Sequence, residues 1–176
     1  MLISNENERS SFLNTYNKIR QWAIERNLHL GATVDSQACK LWEEFGELAQ
    51  GFNKNRPELI RDGIGDVLVV AIVMNTICEF SSEGYEDPEY FSNDWIISSL
   101  PQEALLAIPE VIMAENTEGF YYNFGWLVEV VDKFANSMGI STAACLEEAY
   151  LEIKDRKGMM INGKFVKEAD LAKVAE

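Results

Sequence analysis

With 176 residues, 47% of them hydrophobic and 25% charged, the chain has the apolar content of a folded domain with one sizeable core, and it is too apolar for intrinsic disorder. Its 29 acidic and 15 basic residues give a formal net charge of -14, which excludes an electrostatic grip on a nucleic-acid polymer, because that needs clustered Lys and Arg. Small nucleotides stay compatible, since divalent cations bridge acidic side chains and phosphate oxygens.

Taken in chain order, residues 10–28 place Phe12, Tyr16, Ile19, Trp22, Ala23 and Arg26 at helical intervals, with "HLGAT" closing this first amphipathic helix. Asp35 or Ser36 can cap a second helix that runs to about Phe52. "NKNRP" separates it from a third, which Pro57 opens and which runs to about Phe80. From about 81 to 125 the pattern loosens: "SSEGYEDPEYFSNDW" is acidic and turn-prone, a short apolar helix falls near 102–114, and "TEGFYYNFG" carries glycine. This segment reads as an excursion from the core.

Helical stripes return from Trp126 to Met138, through Leu127, Val130, Val131 and Phe134, and from Thr142 to about Asp155 after "GIST". The basic tail, about 154–176, switches period, and the Asn-Gly pair in "MMINGKFV" signals a two-residue hairpin. The expectation is a single all-α domain over 1–176, a bundle of about five main helices with a short C-terminal β-hairpin.

A single histidine, His29, rules out a multi-histidine metal site within one chain and points any hydrolysis to carboxylates and a hard metal. His29 follows a helix end and is expected to serve at a boundary. Cys39, Cys78 and Cys145 lie far apart in helical segments, which predicts buried thiols and no disulfide framework. The start lacks the charged and apolar blocks of a signal peptide, and the apolar run from Val67 to Ile77 is short and broken by Asn75. The reading is cytoplasmic, without a membrane span.

At about 100° per residue, Leu41, Phe45, Leu48, Ala49 and Phe52 share one side of the second helix, and Glu43 falls opposite, in water. Glu44 and Glu47 join Gln37, Lys40 and Gly51 in a polar band beside that stripe. On the third helix Asp62 and Asp66 share the stripe of Leu59, Val70, Val73 and Ile77, so both acids are expected to point toward the core. There desolvation and like charge oppose ionisation unless a cation compensates. An antiparallel hairpin would bring Glu44, Glu47, Asp62 and Asp66 together. Such an all-oxygen cluster suits magnesium or manganese; the alternative is solvated acids in ordinary salt bridges.

"KLWEEFGELAQGF" followed by "RDGIGDVLVVAI" resembles the core of the MazG-like nucleoside triphosphate pyrophosphohydrolases, members of the all-alpha NTP pyrophosphohydrolase group. The family pattern is Glu-x-x-Glu, a spacer, then Glu-x-x-Asp. Glu44, Glu47 and Asp66 match it. Three residues before Asp66 stands Gly63 instead of an acid, and Asp62 lies four before. "QWAIERNL", "SQACKLWEE" and "ACLEEAYLEIKDRKGMMINGKFVKE" are similar to the short bacteriophage-encoded members, so the resemblance spans residues 15–80 and 140–168.

It implies metal-dependent hydrolysis of a ribo- or deoxyribonucleoside triphosphate to the monophosphate and pyrophosphate. Mg2+ or Mn2+ would be held by Glu44, Glu47, Asp62 and Asp66, with Glu47 alternatively the general base. Lys40 either reaches a phosphate or pairs with Glu44, and Gln37 contacts sugar or base. Arg156 and Lys157, similar to the family's terminal basic motif, either bind phosphate or favour a helix C-terminus. Trp22 is either core or a base-stacking surface. The resemblance further implies a homodimer or homotetramer. Two readings compete: a nucleotide- or metal-binding regulator with turnover altered or lost through Gly63, and a structural helical oligomer with salt-bridged acids.

Overall fold

The computed structural model describes residues 3, 6–81, 100–113, 117–161 and 164–171, the side chains of 110–123 and 164 excepted. Among them are seven helices: α1 (Glu6–Glu25), α2 (Leu28–Gly31), α3 (Val34–Asn53), α4 (Pro57–Ser81), α5 (Pro101–Met113), α6 (Thr117–Ser137) and α7 (Thr142–Ile153). Strands β1 (Gly158–Ile161) and β2 (Lys164–Lys167) follow. They pair antiparallel, Met160 opposite Phe165 and Ile161 opposite Lys164. The all-α fold with a C-terminal hairpin is therefore as expected; the Asn162-Gly163 connection and the aromatic stretch over 82–99 lie outside the described residues.

Local boundaries differ in ways that packing explains. Asn27 takes a left-handed conformation, φ 57°, which Asn tolerates, and Leu28–Gly31 forms a separate turn of helix. Thr33, neither Asp35 nor Ser36, caps α3: its hydroxyl accepts from the Ser36 N–H at 3.1 Å, and Ser36 Oγ accepts from the Thr33 N–H at 3.1 Å, a reciprocal arrangement that satisfies two orphan donors. Helix α6 starts at Thr117 instead of Trp126, because Phe124 is buried beside Tyr16 and tertiary packing overrides the helix-weakening glycines. Ala104, Leu105 and Ile108 also belong to the core, so α5 is part of the packed body and not an excursion.

Helix α4 is the axle of the fold, packed by α1, α3, α6 and α7. Its length and composition would suffice to cross a membrane, but 83% of its apolar window is buried inside the protein, as befits a core helix that is hydrophobic on all sides. Two glycines let neighbours approach. A Cβ at Gly63 would lie 2.8 Å from Leu48 Cα, and one at Gly65 would lie 2.6 Å from the Cys145 carbonyl oxygen. Helices α3 and α7 thus press on α4 almost backbone to backbone.

Candidate functional site

Between Ile60 and Cys78, every residue of α4 is buried except Arg61, Asp62 and Asp66. At Asp66 the helix wrapping leaves a gap, and a cleft of about 530 Å³ opens there, within the usual size of small-molecule sites. Helix α3 contributes Gln37, Lys40, Glu44 and Glu47, α4 contributes Asp66, and Trp22 and Arg156 come from α1 and the turn after α7. The structure thus gathers seven of the nine sequence-derived candidates; Asp62 and Lys157 do not line the cleft.

The expected inward pointing of Asp62 is corrected: it is exposed, and Asp66 is half-buried. A helix packed on nearly every side has no single core stripe, so its apolar periodicity does not say where an acid points. Burial pushes the Asp66 carboxyl up to about 7, and the charges of Glu44 and Asp62 push the same way, partly offset by Arg156. These perturbers place excess negative charge around Asp66.

Glu44, only 6% exposed, is compensated by Lys40, whose Nζ lies 2.5 Å from Glu44 Oε1 and 3.1 Å from Glu43 Oε2. Burial alone would lower the Lys40 ammonium, but hydrogen bonds to Glu44 and Glu43 outweigh it and raise its pKa. Of the two readings of Lys40, the pair with Glu44 is the one present. Glu47 is exposed at the rim and, among the described residues, takes no part in these ion pairs.

Among the described residues no three His, Cys, Asp or Glu side chains are already grouped to hold a metal ion. The donor chemistry of Glu44, Glu47 and Asp66 nevertheless fits a hard divalent ion: all are oxygens, and burial first, then the charges of Glu44 and Asp62, oppose ionisation of Asp66. Gly63 has a structural reason. It faces Leu48 across the tightest part of the α3–α4 contact, where a glutamate has no room.

The opposite wall is built on α1. Trp22 Nε1 donates to the Ile153 carbonyl at 2.9 Å, and the Arg26 guanidinium covers the indole at 4.7 Å. Arg26 also donates to the carbonyls of Arg156 at 3.0 Å and Lys154 at 2.9 Å. Trp22 is therefore a buried strut between helices that also lines the cleft. Arg156 faces the cleft with Glu152 at 3.9 Å, whereas Lys157 is exposed outside it.

Sequence reasoning missed Val69, Val70 and Val73 on the floor and Phe165 and Lys167 on β2. Residues 165 and 167 share a face of their strand, so the hairpin signal together with the basic motif at Arg156 could have pointed to them. Cys39 is exposed at the cleft, contrary to expectation, because it falls on the solvent side of α3 near Glu43; Cys78 and Cys145 are buried. Burial pushes the Cys145 thiol up to about 11, which makes it inert. His29 packs against Phe80, ring centroids 4.5 Å apart, and does not line the cleft.

No family model matches the chain, and no solved structure matches it. It is similar to an uncharacterized 18.2 kDa protein in the rep-hol intergenic region of Haemophilus phage HP1, 50% identical over 56 residues. That stretch is 32% of this chain and 34% of the phage protein, so the match spans about a third of the relative's length.

Proposed function

We propose that the protein is a metal-dependent nucleotide pyrophosphohydrolase that converts nucleoside or deoxynucleoside triphosphates to monophosphates and pyrophosphate. The observation that carries this reading is the cleft in which Asp66, held up at about 7, lies with Glu44 and Glu47 on one side and Arg156 on another. The likeness of its acidic helices to the MazG-like family supports it, and similarity to a phage protein fits a cytoplasmic role in a bacterial or phage-infected cell. A homodimer or homotetramer is the assembly expected.

Glu44, Glu47 and Asp66 are the residues to hold Mg2+ or Mn2+, with Asp62 adding charge from outside the cleft. When bound, such an ion supplies the charge neutralisation and Lewis acidity that anhydride hydrolysis needs near neutral pH. Glu47, unpaired by Lys40 and open to solvent, is alternatively the general base, its carboxylate then accepting a proton from the attacking water instead of binding the ion. Lys40 and Arg156 bind phosphate oxygens, Lys40 by exchanging its Glu44 partner for the substrate.

A second reading is a nucleotide- or metal-binding regulator on the same scaffold, favoured by Gly63, which removes one family acid from a position where this packing admits no side chain. Turnover and binding of wild type and Glu47→Ala separate the two. An enzyme releases product and loses that turnover in Glu47→Ala; a protein that binds nucleotide tightly, releases no product and shows only weakened binding in Glu47→Ala is the regulator.

A further inference from the structure

The cleft has two chemically different ends. Helices α3 and α4 run antiparallel, with Gly63 against Leu48 and Gly51 against Leu59 and Ile60, a register that sets Glu44 level with Asp66 and Gln37 level with Val73. At a rise of 1.5 Å per residue, Val73 lies about 10 Å along α4 from Asp66. Val69, Val70 and Val73 keep 8%, 6% and 4% exposure while Val67, Leu68, Ala71 and Ile72 are at 0%. These three valines are therefore an open apolar floor, beyond the acids, with the Gln37 amide at its edge.

Phe165 lines the same cleft. Its ring packs at 6.1 Å and 59° on Trp22, which Ile153 and Arg26 hold in place. Its cross-strand partner Met160 lies against Gly31 of α2, where a Cβ would come within 2.8 Å. The hairpin is thus seated from both sides. An apolar floor, an aromatic wall and one amide able to both donate and accept are the complement of a flat heterocycle with a polar edge. A separation of about 10 Å from the acids matches the distance between the base and the outer phosphates of a nucleotide.

We propose that the C-terminal hairpin forms the nucleobase end of the cleft, with Phe165 as the surface a base lies against and Gln37 as the reader of its edge. This rests on the nucleotide reading above and makes the hairpin the source of affinity for the base, with discrimination between bases falling to Gln37 of α3. Trp22 and Arg26 are positioning residues for it.

The test is calorimetric binding to the full chain, with Mg2+, of α,β-methylene nucleoside triphosphates of each base and of inorganic tripolyphosphate, which has no base. Phe165→Ala is expected to weaken the preferred nucleotide about tenfold or more, the usual effect of losing a stacking partner, and to leave tripolyphosphate within twofold. Phe165→Tyr should retain nucleotide affinity. Unchanged nucleotide binding in Phe165→Ala, or an equal loss for both ligands, overturns the proposal while leaving the nucleotide reading intact. A wild-type chain that binds tripolyphosphate no more weakly than any nucleotide overturns it too, and a chain that binds neither ligand removes both readings.

Discussion

Asp66 ties the chemistry of the cleft to the stability of the protein. Its carboxyl titrates at about 7 in the folded chain against 3.8 for the unperturbed group. Between these values the folded state holds a proton that the unfolded state has lost, so its contribution to stability declines as pH rises from about 4 through about 7. Asp66→Asn removes this linkage. In chelator, we expect the variant to melt higher than wild type at pH 8 and the gap to narrow at pH 5 and close near pH 4; parallel Tm curves would show that Asp66 carries no such strain. At pH 8, Mg2+ should raise the wild-type Tm by mass action on the folded state and leave Asp66→Asn nearly unmoved. Equal shifts in both would remove Asp66 from the metal site.

At the level of helices, the contact between α3 and α4 is the constraint around which the site is built. Gly63→Ala places a methyl 2.8 Å from Leu48 Cα and Cβ, which the backbone of α3 cannot swing aside, and we expect a loss of about 1–3 kcal/mol in urea unfolding. Gly63→Glu, which restores the family acid, should unfold the protein and not activate it; a folded, faster enzyme would contradict the packing. The corner between α6 and α7 rests on buried Asp132, which accepts from the Thr142 hydroxyl at 2.6 Å and from Asn136 Nδ2 at 2.9 Å. Thr142→Val leaves that carboxylate short of a donor at a cost of about 1–3 kcal/mol, measurable by the same titration.

Across the whole molecule, the helices were legible because their caps, prolines and apolar periods are local signals, and Pro57, Ser141 and the Asn-Gly hairpin signal fall where the structure puts helix starts and paired strands. The band of Gln37, Lys40, Glu44 and Glu47 was legible for the same reason: α3 is packed mainly on one side, so periodicity reports its faces. On α4 that logic fails, since burial nearly all round makes the direction of Asp62 and Asp66 a property of the neighbouring helices. Phe165 and Lys167 reach the cleft on a hairpin seated by Phe165 against Trp22 of α1 and Met160 against Gly31 of α2, more than a hundred residues away in sequence, which no local pattern encodes.

The most direct measurement is product release from a panel of common ribo- and deoxyribonucleoside triphosphates with Mg2+, with Mn2+ and with chelator. Metal-dependent appearance of monophosphate and pyrophosphate in equal amounts, abolished in Glu47→Ala and Asp66→Ala, is the predicted result. A folded, metal-loaded protein that releases neither product from any member of the panel would contradict the proposal that this cleft hydrolyses ordinary nucleotides.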